Sequence, residues 1–449
     1  MSRTCFAIAF LSVLALGGAA HAASARALPD STTVSAWRLP NGLEVRVRDV
    51  PGANAVAVTL GYRAGSFLDD PSTPGLASVL ALVRFTAPVG DVPERSFAEM
   101  SSVRPLGWGV TTNARLSLLT EVGLPERFAG LLHEVARRAH GVQVTDSCLA
   151  HAVAFARRDA GQRRFGKPEP ALYERVRDIA QGFDEQQVLD RASGKGLLRL
   201  TPARVDTLMS RYYGASNAVL VLVGDFGGVP LEQVVAREFG DIGAGTAQPD
   251  PPAPMLSPAR RTTTLDSAPL SLGVVGILAP AIEDTTSAEF YLDALVTGGW
   301  WKHERSDSDS RLDSYFQYSI FDEPDMVRYD VELRAGPDDP NSMANAWNNQ
   351  MDSYAELLVT SDVYNLVRET VGWMLGAPLG SAQRRQAATT PAFVSTIATT
   401  TASRALWKGD AFWDGFLHRF MSAHFANTTF RRYKQDPAHQ VVLVLKPRR

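Results

Sequence analysis

Zinc held on a single helix needs two imidazoles one turn apart, and the eight histidines of this chain include no pair at i, i+4 spacing. His133-Glu134 opens such a pattern, but Arg137 stands where the second imidazole belongs. His133 and His140, seven apart, read instead as the solvated or half-buried face of an amphipathic helix. Phosphate chemistry fares no better. Gly194-Lys195-Gly196 and Gly224-Asp225-Phe226-Gly227-Gly228 are glycine-rich, yet neither has the spaced glycines and Lys-Ser/Thr pair of a nucleotide cradle, so both read as turns. A serine nucleophile on a sharp strand-to-helix turn would need G-x-S-x-G. Gly65-Ser66 is followed by Phe67-Leu68, and Gly214-Ala215-Ser216 by Asn217-Ala218.

The elements that would position a site can be read from the periodicities. Leu43 to Val50 alternates apolar and charged residues, with Val45 and Val47 inward and Arg46 and Arg48 outward. Ala55 to Tyr62 follows across Pro51-Gly52, which predicts a paired hairpin. Helices are predicted over 75–86 (Leu76, Val79, Leu80, Val83) and 126–140 (Phe128, Leu131, Leu132, Val135). Thr201-Pro202 reads as an N-cap and first helical position, opening a helix to Tyr212. Asn217 to Val223 reads as a strand buried on both faces, turned by Gly224-Asp225 into a helix over 230–239. The irregular alternation lacks a βαβ rhythm and predicts an α+β fold.

Lys plus Arg number 45 against 48 Asp plus Glu, so no strong field points to nucleic acid or an anionic membrane. At the N-terminus, Arg3 precedes the apolar run Cys5 to Leu16, then Gly17-Gly18 and Ala20-His21-Ala22. That is the layout of a signal peptide over residues 1–22, and the run falls well short of the roughly 20 residues needed to span a bilayer. Cleavage after Ala22 leaves Cys148 as the sole cysteine, which suits an oxidising compartment. The expectation is an exported protein with no membrane span, most simply in a bacterial periplasm.

Pro249, Pro251, Pro252, Pro254 and Pro258 define a linker over 243–258, dividing the chain into half-domains at 23–242 and 259–449. Sliding the sequence by 221 positions places Arg211-Tyr212 on Arg432-Tyr433, and Val219-Leu220-Val221-Leu222-Val223 on Gln440-Val441-Val442-Leu443-Val444. Two matches at the end of each half predict a duplication. The fold class expected is therefore α+β with two duplicated half-domains, each an antiparallel-rich sheet with helices packed on it.

Leu39-Pro40-Asn41-Gly42-Leu43-Glu44-Val45, then Gly65-Ser66 with Asp69-Asp70, then Gly75-Leu76-Ala77 opening a helix, resembles the start of the pitrilysin/insulinase family of inverted-motif zinc metallopeptidases. Arg211-Tyr212-Tyr213 through Asn217 to Phe226 resembles that family's closing strand and turn. The resemblance implies paired α+β half-domains of this size. It also implies His-x-x-Glu-His directly after Gly-Leu-Ala, two ligands and the glutamate that activates water. Those positions hold Ser78, Ala81 and Leu82. The family's third ligand, a glutamate about 76 residues further on, falls at Asp159, beside Arg157-Arg158, where a surface ion pair is the plainer reading. With both histidines gone, one carboxylate cannot hold a catalytic zinc, so no cofactor is expected in this chain.

Active members also carry an arginine and a tyrosine seven positions apart that bind the substrate backbone and the developing oxyanion. Here Arg311 and Tyr318 have that spacing, a guanidinium and a phenol being suitable donors. The family's Gly-Leu-Ala before the tyrosine is missing, and Arg311 also fits an upstream Ser-Arg-Leu, so a strand with both side chains facing solvent is an equal reading. Trp300-Trp301, in a charged connection, are either interface anchors or core. Some exported bacterial members work as two different subunits, one with the zinc helix and one with the arginine and tyrosine. The expectation is a non-catalytic subunit acting on unfolded peptide beside a zinc-bearing partner with an intact motif; the alternative is a catalytically dead peptide-binding or scaffold protein with no peptidase partner.

Overall fold

The computed structural model of the chain describes residues 34–69, 72–113, 115–165, 178–184, 187, 193–246, 248, 257–265, 272–278, 314–317, 327–331, 339–355, 390–422 and 435–447. Its first sheet is built from β1 (Val34–Arg38), β2 (Glu44–Asp49), β3 (Val56–Tyr62), β4 (Trp108–Thr112), β5 (Ser117–Gly123) and β6 (Ala218–Gly224), in the order β1-β2-β6-β3-β5-β4. The second contains β7 (Ala259–Leu265), β8 (Leu272–Ile277), β9 (Ser314–Gln317), β10 (Val327–Val331) and β11 (Gln440–Pro447), in the order β7-β11-β8-β10-β9.

Apart from β1, the two sheets have the same topology. In each, the last strand of the half runs parallel to the first (β6 on β2, β11 on β7) and antiparallel to the second (β3, β8), and the remaining neighbours are antiparallel. The duplication expected from Val219–Val223 and Gln440–Val444 is thus present in the fold, with both runs as internal strands. Every residue of β6 is buried, as are Gln440 to Val444 of β11. Burial on two faces accounts for the apolar character of Val219–Val223 and of the run from Val441 to Val444.

This order overturns the predicted hairpin. β2 and β3 are not neighbours, because β6 lies between them and pairs with both. Pro51-Gly52 serves a crossover, not a tight strand pair. The outward assignment of Arg46 and Arg48 also fails, since they are only 8% and 1% exposed. β1 closes the outer edge of β2, and a helix from the second half covers the neighbouring strands.

Among the described residues, the named helices of the first half are α1 (Leu76–Thr86), α2 (Phe97–Val103), α3 (Phe128–His140), α4 (Asp146–Phe165), α5 (Pro202–Tyr212) and α6 (Leu231–Phe239). Further along lie α7 (Pro340–Ala355), α8 (Pro391–Leu406) and α9 (Gly409–Ser422). α7 packs on β7, β8 and β11, whereas α8 packs on β3, β5 and β6 of the first sheet. α8 is suited to lie flat on a sheet, for all its buried residues before Leu406 are small or β-branched, among them Val394, Ile397, Ala398, Thr400, Thr401 and Ala402. Its C-terminal Leu406 accepts a hydrogen bond from Arg63 Nε at 2.8 Å, and the next residue, Trp407, lies under Arg115 at 5.0 Å. Burial, then the nearby Arg404 guanidinium on α8, lower Arg48 to about 10. No helix among the described residues is long and apolar enough to cross a membrane.

Candidate functional site

The local chemistry that begins α1 is a carboxylate cap. Asp69 Oδ2 accepts from Gly75 N at 2.6 Å and Oδ1 from Ala77 N at 2.8 Å, satisfying donors that the first helical turn leaves unpaired. Gly75 sits at φ 88°, a left-handed conformation that disfavours any side chain. Gly65 makes the preceding turn possible, since a Cβ there would stand 2.4 Å from the Arg115 carbonyl carbon. Gly65, Asp69 and Gly75 therefore aim α1.

The other residues that carry the family resemblance also hold the scaffold together. Asn41 Nδ2 donates to the carbonyls of Phe239 (2.8 Å), Ile242 (3.1 Å) and Gly240 (3.3 Å), tying the turn between β1 and β2 to the end of α6. Asn217, fully buried, donates through Nδ2 to Tyr212 O (2.6 Å) and Arg63 O (3.2 Å), fixing the entry to β6 beside β3. Asp225 accepts from Gly52 N at 2.7 Å, closing the turn after β6 onto the end of the β2 segment. These are the geometric reasons for those residue types at those places.

Along α1, Ala81 is fully buried and Leu82 is 5% exposed, while Ser78 is half-buried. The helix packs on α4, β4 and β5. A zinc site on this helix would require imidazole or carboxylate donors at these positions, and a hydroxyl, a methyl and an isobutyl group supply none. The residues present do not fit the metal. Asp159 lies on α4, the helix packed against α1, but its side chain is outside the described residues. Its neighbours are engaged nearby: Arg157 Nε donates to Ser193 O at 3.3 Å, and the Arg158 guanidinium lies 5.4 Å from the Phe155 ring. Among the described residues no group of three or more His, Cys, Asp or Glu side chains is placed to hold a metal ion.

Arg311, Tyr318, Trp300 and Trp301 all lie outside the described residues; β9 ends at Gln317, immediately before Tyr318. His133 Nδ1 bonds the Glu238 carboxylate at 2.7 Å and His140 Nε2 meets Glu238 O at 3.0 Å, so this face of α3 ties to α6. The His133 hydrogen bond holds Glu238 below the usual carboxylate range. Cys148 is buried and free.

Sequence reasoning missed the edge of the first sheet. β4 is its last strand among the described residues, leaving one side of its backbone without a neighbouring strand. Trp108 at its start stacks with Phe85 of α1 (5.4 Å between centroids) and Phe97 of α2 (5.6 Å), and Phe97 packs on Phe155 of α4 at 4.1 Å. This row of rings holds the open edge against α1. Its only sequence signal was scattered aromatics, because the four residues come from four separate elements.

No protein-family model and no curated protein matches this chain in sequence. In structure it is similar to a protease from Helicobacter pylori, at TM-score 0.71 and 14% identity, covering 93% of this chain and 100% of that one. It is also similar to a peptidase M16 inactive domain from Pseudomonas fluorescens, at TM-score 0.67 and 13% identity over 93% and 98% of the two chains. The periplasmic protease PqqL from Escherichia coli matches at TM-score 0.57 and 14% identity, covering 94% of this chain and 48% of PqqL. The fold is accordingly that of M16-like peptidases, the pitrilysin/insulinase-like architecture.

Proposed function

We propose that this chain is a non-catalytic subunit of an exported zinc metallopeptidase of the pitrilysin/insulinase kind, presenting peptide to a zinc-bearing partner with an intact His-x-x-Glu-His. The observation that carries this reading is α1: a helix capped by Asp69 and packed within an M16-like fold, but with Ser78, Ala81 and Leu82 in place of metal-binding groups. Chemistry at such a helix would have to come from another subunit. The reading leaves this chain without a cofactor and assigns zinc to the partner.

Two features suit a peptide-binding role. The open edge of β4 offers a row of backbone donors and acceptors to an extended chain, which can add as a further strand without sequence demands. The proposed Arg311/Tyr318 pair would supply a guanidinium and a phenol to the substrate carbonyl as negative charge develops. Export to a periplasm rests on the N-terminal layout of Arg3, the apolar run and Ala20-His21-Ala22, and is in keeping with likeness to a periplasmic protease.

Reconstitution with an intact partner tests the reading. Arg311→Ala should lower kcat/KM of the complex by an amount typical of losing one oxyanion donor, on the order of 2.7–4 kcal/mol in transition-state stabilisation. Wild-type turnover by the variant would refute the role of the pair. Failure to bind any zinc-bearing subunit, with retained peptide binding, would favour a scaffold that has no peptidase partner.

A further inference from the structure

Beneath α1, between α3 and the ends of β3 and α5, the fold buries more positive charge than it pairs. Arg84 of α1 is 7% exposed and Arg138 of α3 is 8% exposed. Arg104 donates through Nε to Glu121 Oε2 at 2.7 Å and through Nη2 to Glu134 Oε2 at 2.7 Å; Arg95 Nη1 reaches the same Glu134 oxygen at 3.1 Å. Arg138 pairs with the other oxygen of Glu121. Four guanidiniums, those of Arg84, Arg95, Arg104 and Arg138, are thus gathered around two carboxylates.

Arg84 is the surplus member. Its partners are neutral: Nη2 donates to the carbonyl of Ala139 at 2.5 Å and the guanidinium hydrogen-bonds the Tyr62 side chain, while its buried Nε has no acceptor among the described residues. The Arg84 guanidinium stands 5.9 Å from the ring of Tyr213, and Tyr213 in turn packs on Tyr62 with centroids 4.6 Å apart; both tyrosines are buried. Arg138 lies 5.5 Å from the ring of Phe85. Burial, followed by the neighbouring Arg104, Arg95 and Arg84, lowers Arg138 to about 9. An ionised group taken out of water without a counter-charge costs several kcal/mol, and a buried donor without an acceptor adds to that cost.

We infer that a small monovalent anion of the halide class occupies this cluster, accepting from Arg84 Nε and neutralising the Arg84/Arg138 pair. Tyr213 beside Arg84, Tyr62 packed on Tyr213, and Phe85 beside Arg138 are all 3% exposed or less, so aromatic groups shut the cluster off from water. A halide needs no directional acceptor geometry and fits where donors converge from different elements. Its role would be to hold α1 on α3, thereby fixing the helix at the centre of the candidate site.

Thermal unfolding of the full chain in sodium chloride or sodium bromide, against sodium gluconate at matched ionic strength, tests this. The expected result is a saturating rise in Tm with either halide and none with gluconate, as binding to the folded state alone requires. Arg84→Met should abolish the halide-specific rise. Crystals of the wild-type protein grown with bromide should give an anomalous peak within hydrogen-bond distance of Arg84 Nε, a readout that stands even if the variant does not fold. Identical curves in halide and gluconate would overturn the inference, as would an empty anomalous map at Arg84 or a halide-dependent Tm retained by Arg84→Met.

Discussion

β2 and β7 hold the same place in two sheets that share a topology apart from β1, yet the middle of β2 is buried whereas Arg260, Arg261 and Thr262 of β7 are exposed. Each runs parallel to the strand that ends its half, and β2 differs in having β1 before it. In β2, Val45, Arg46, Val47 and Arg48 are 8% exposed or less; in β7, Arg260, Arg261 and Thr262 are exposed. The pairing is not the cause, since Arg48 opposes Val223 on β6 much as Thr262 opposes Val444 on β11. What differs is the cover. β1 pairs along the outer edge of β2, whereas the outer edge of β7 carries no strand among the described residues. α8, moreover, crosses from the second half of the sequence to lie on the first sheet. A duplicated topology therefore fixes hydrogen-bonding partners, while burial is set by what covers each strand, from its own half or from the other.

The largest expected effect comes from attacking the covered strand. Val47→Asp would place an unpaired carboxylate in the core of the first half and should cost more than about 4 kcal/mol, measured by urea unfolding. A loss no larger than that of an exposed site would contradict the covered-strand account. The contact between halves can be probed at Gly61, where an added Cβ would stand 2.9 Å from Leu118 Cδ2 and 2.9 Å from Leu406 Cδ1. Gly61→Val should cost about 1–3 kcal/mol through overpacking. Leu406→Ala in the same chain should recover part of that loss, because it removes one of the two clashing groups. At the small end, Thr262→Asp on β7 should change stability by about 1 kcal/mol or less, as suits an exposed strand position.

These residues also explain how far the sequence could be read. Leu220 to Val223 and Val441 to Val444 declare themselves as doubly buried strands because both faces demand apolar side chains. α1, α3 and α5 follow from helical spacing and, for α5, from the Thr201 cap, whose side chain accepts from Arg204 N at 3.3 Å. The hairpin across Pro51-Gly52 was misread because the strand inserted between β2 and β3 arrives only at residue 218, a pairing that local periodicity cannot register. Arg46 and Arg48 were assigned to solvent because alternation of charge and valine looks the same whether or not another part of the chain covers the charged side.

The candidate site was legible to a different degree. Asn41, Asp69, Asn217 and Asp225 were noticed for their resemblance, and the geometry gives each a scaffold hydrogen bond. Ser78, Ala81 and Leu82 could be located only because the capping and turn residues before them are retained. The Arg84/Arg138 cluster was invisible, since arginines at 84, 95, 104 and 138 are brought together only by the packing of α1 and α3 with β5.

The central claim is that α1 keeps its place in an M16-like fold without supplying metal chemistry. Metal analysis of the purified full chain after equilibration with zinc, alongside an assay for cleavage of an unfolded peptide, tests it most directly. The account predicts background zinc and no hydrolysis by the chain alone. One zinc per chain with chelator-sensitive hydrolysis, or hydrolysis at background zinc, would contradict it.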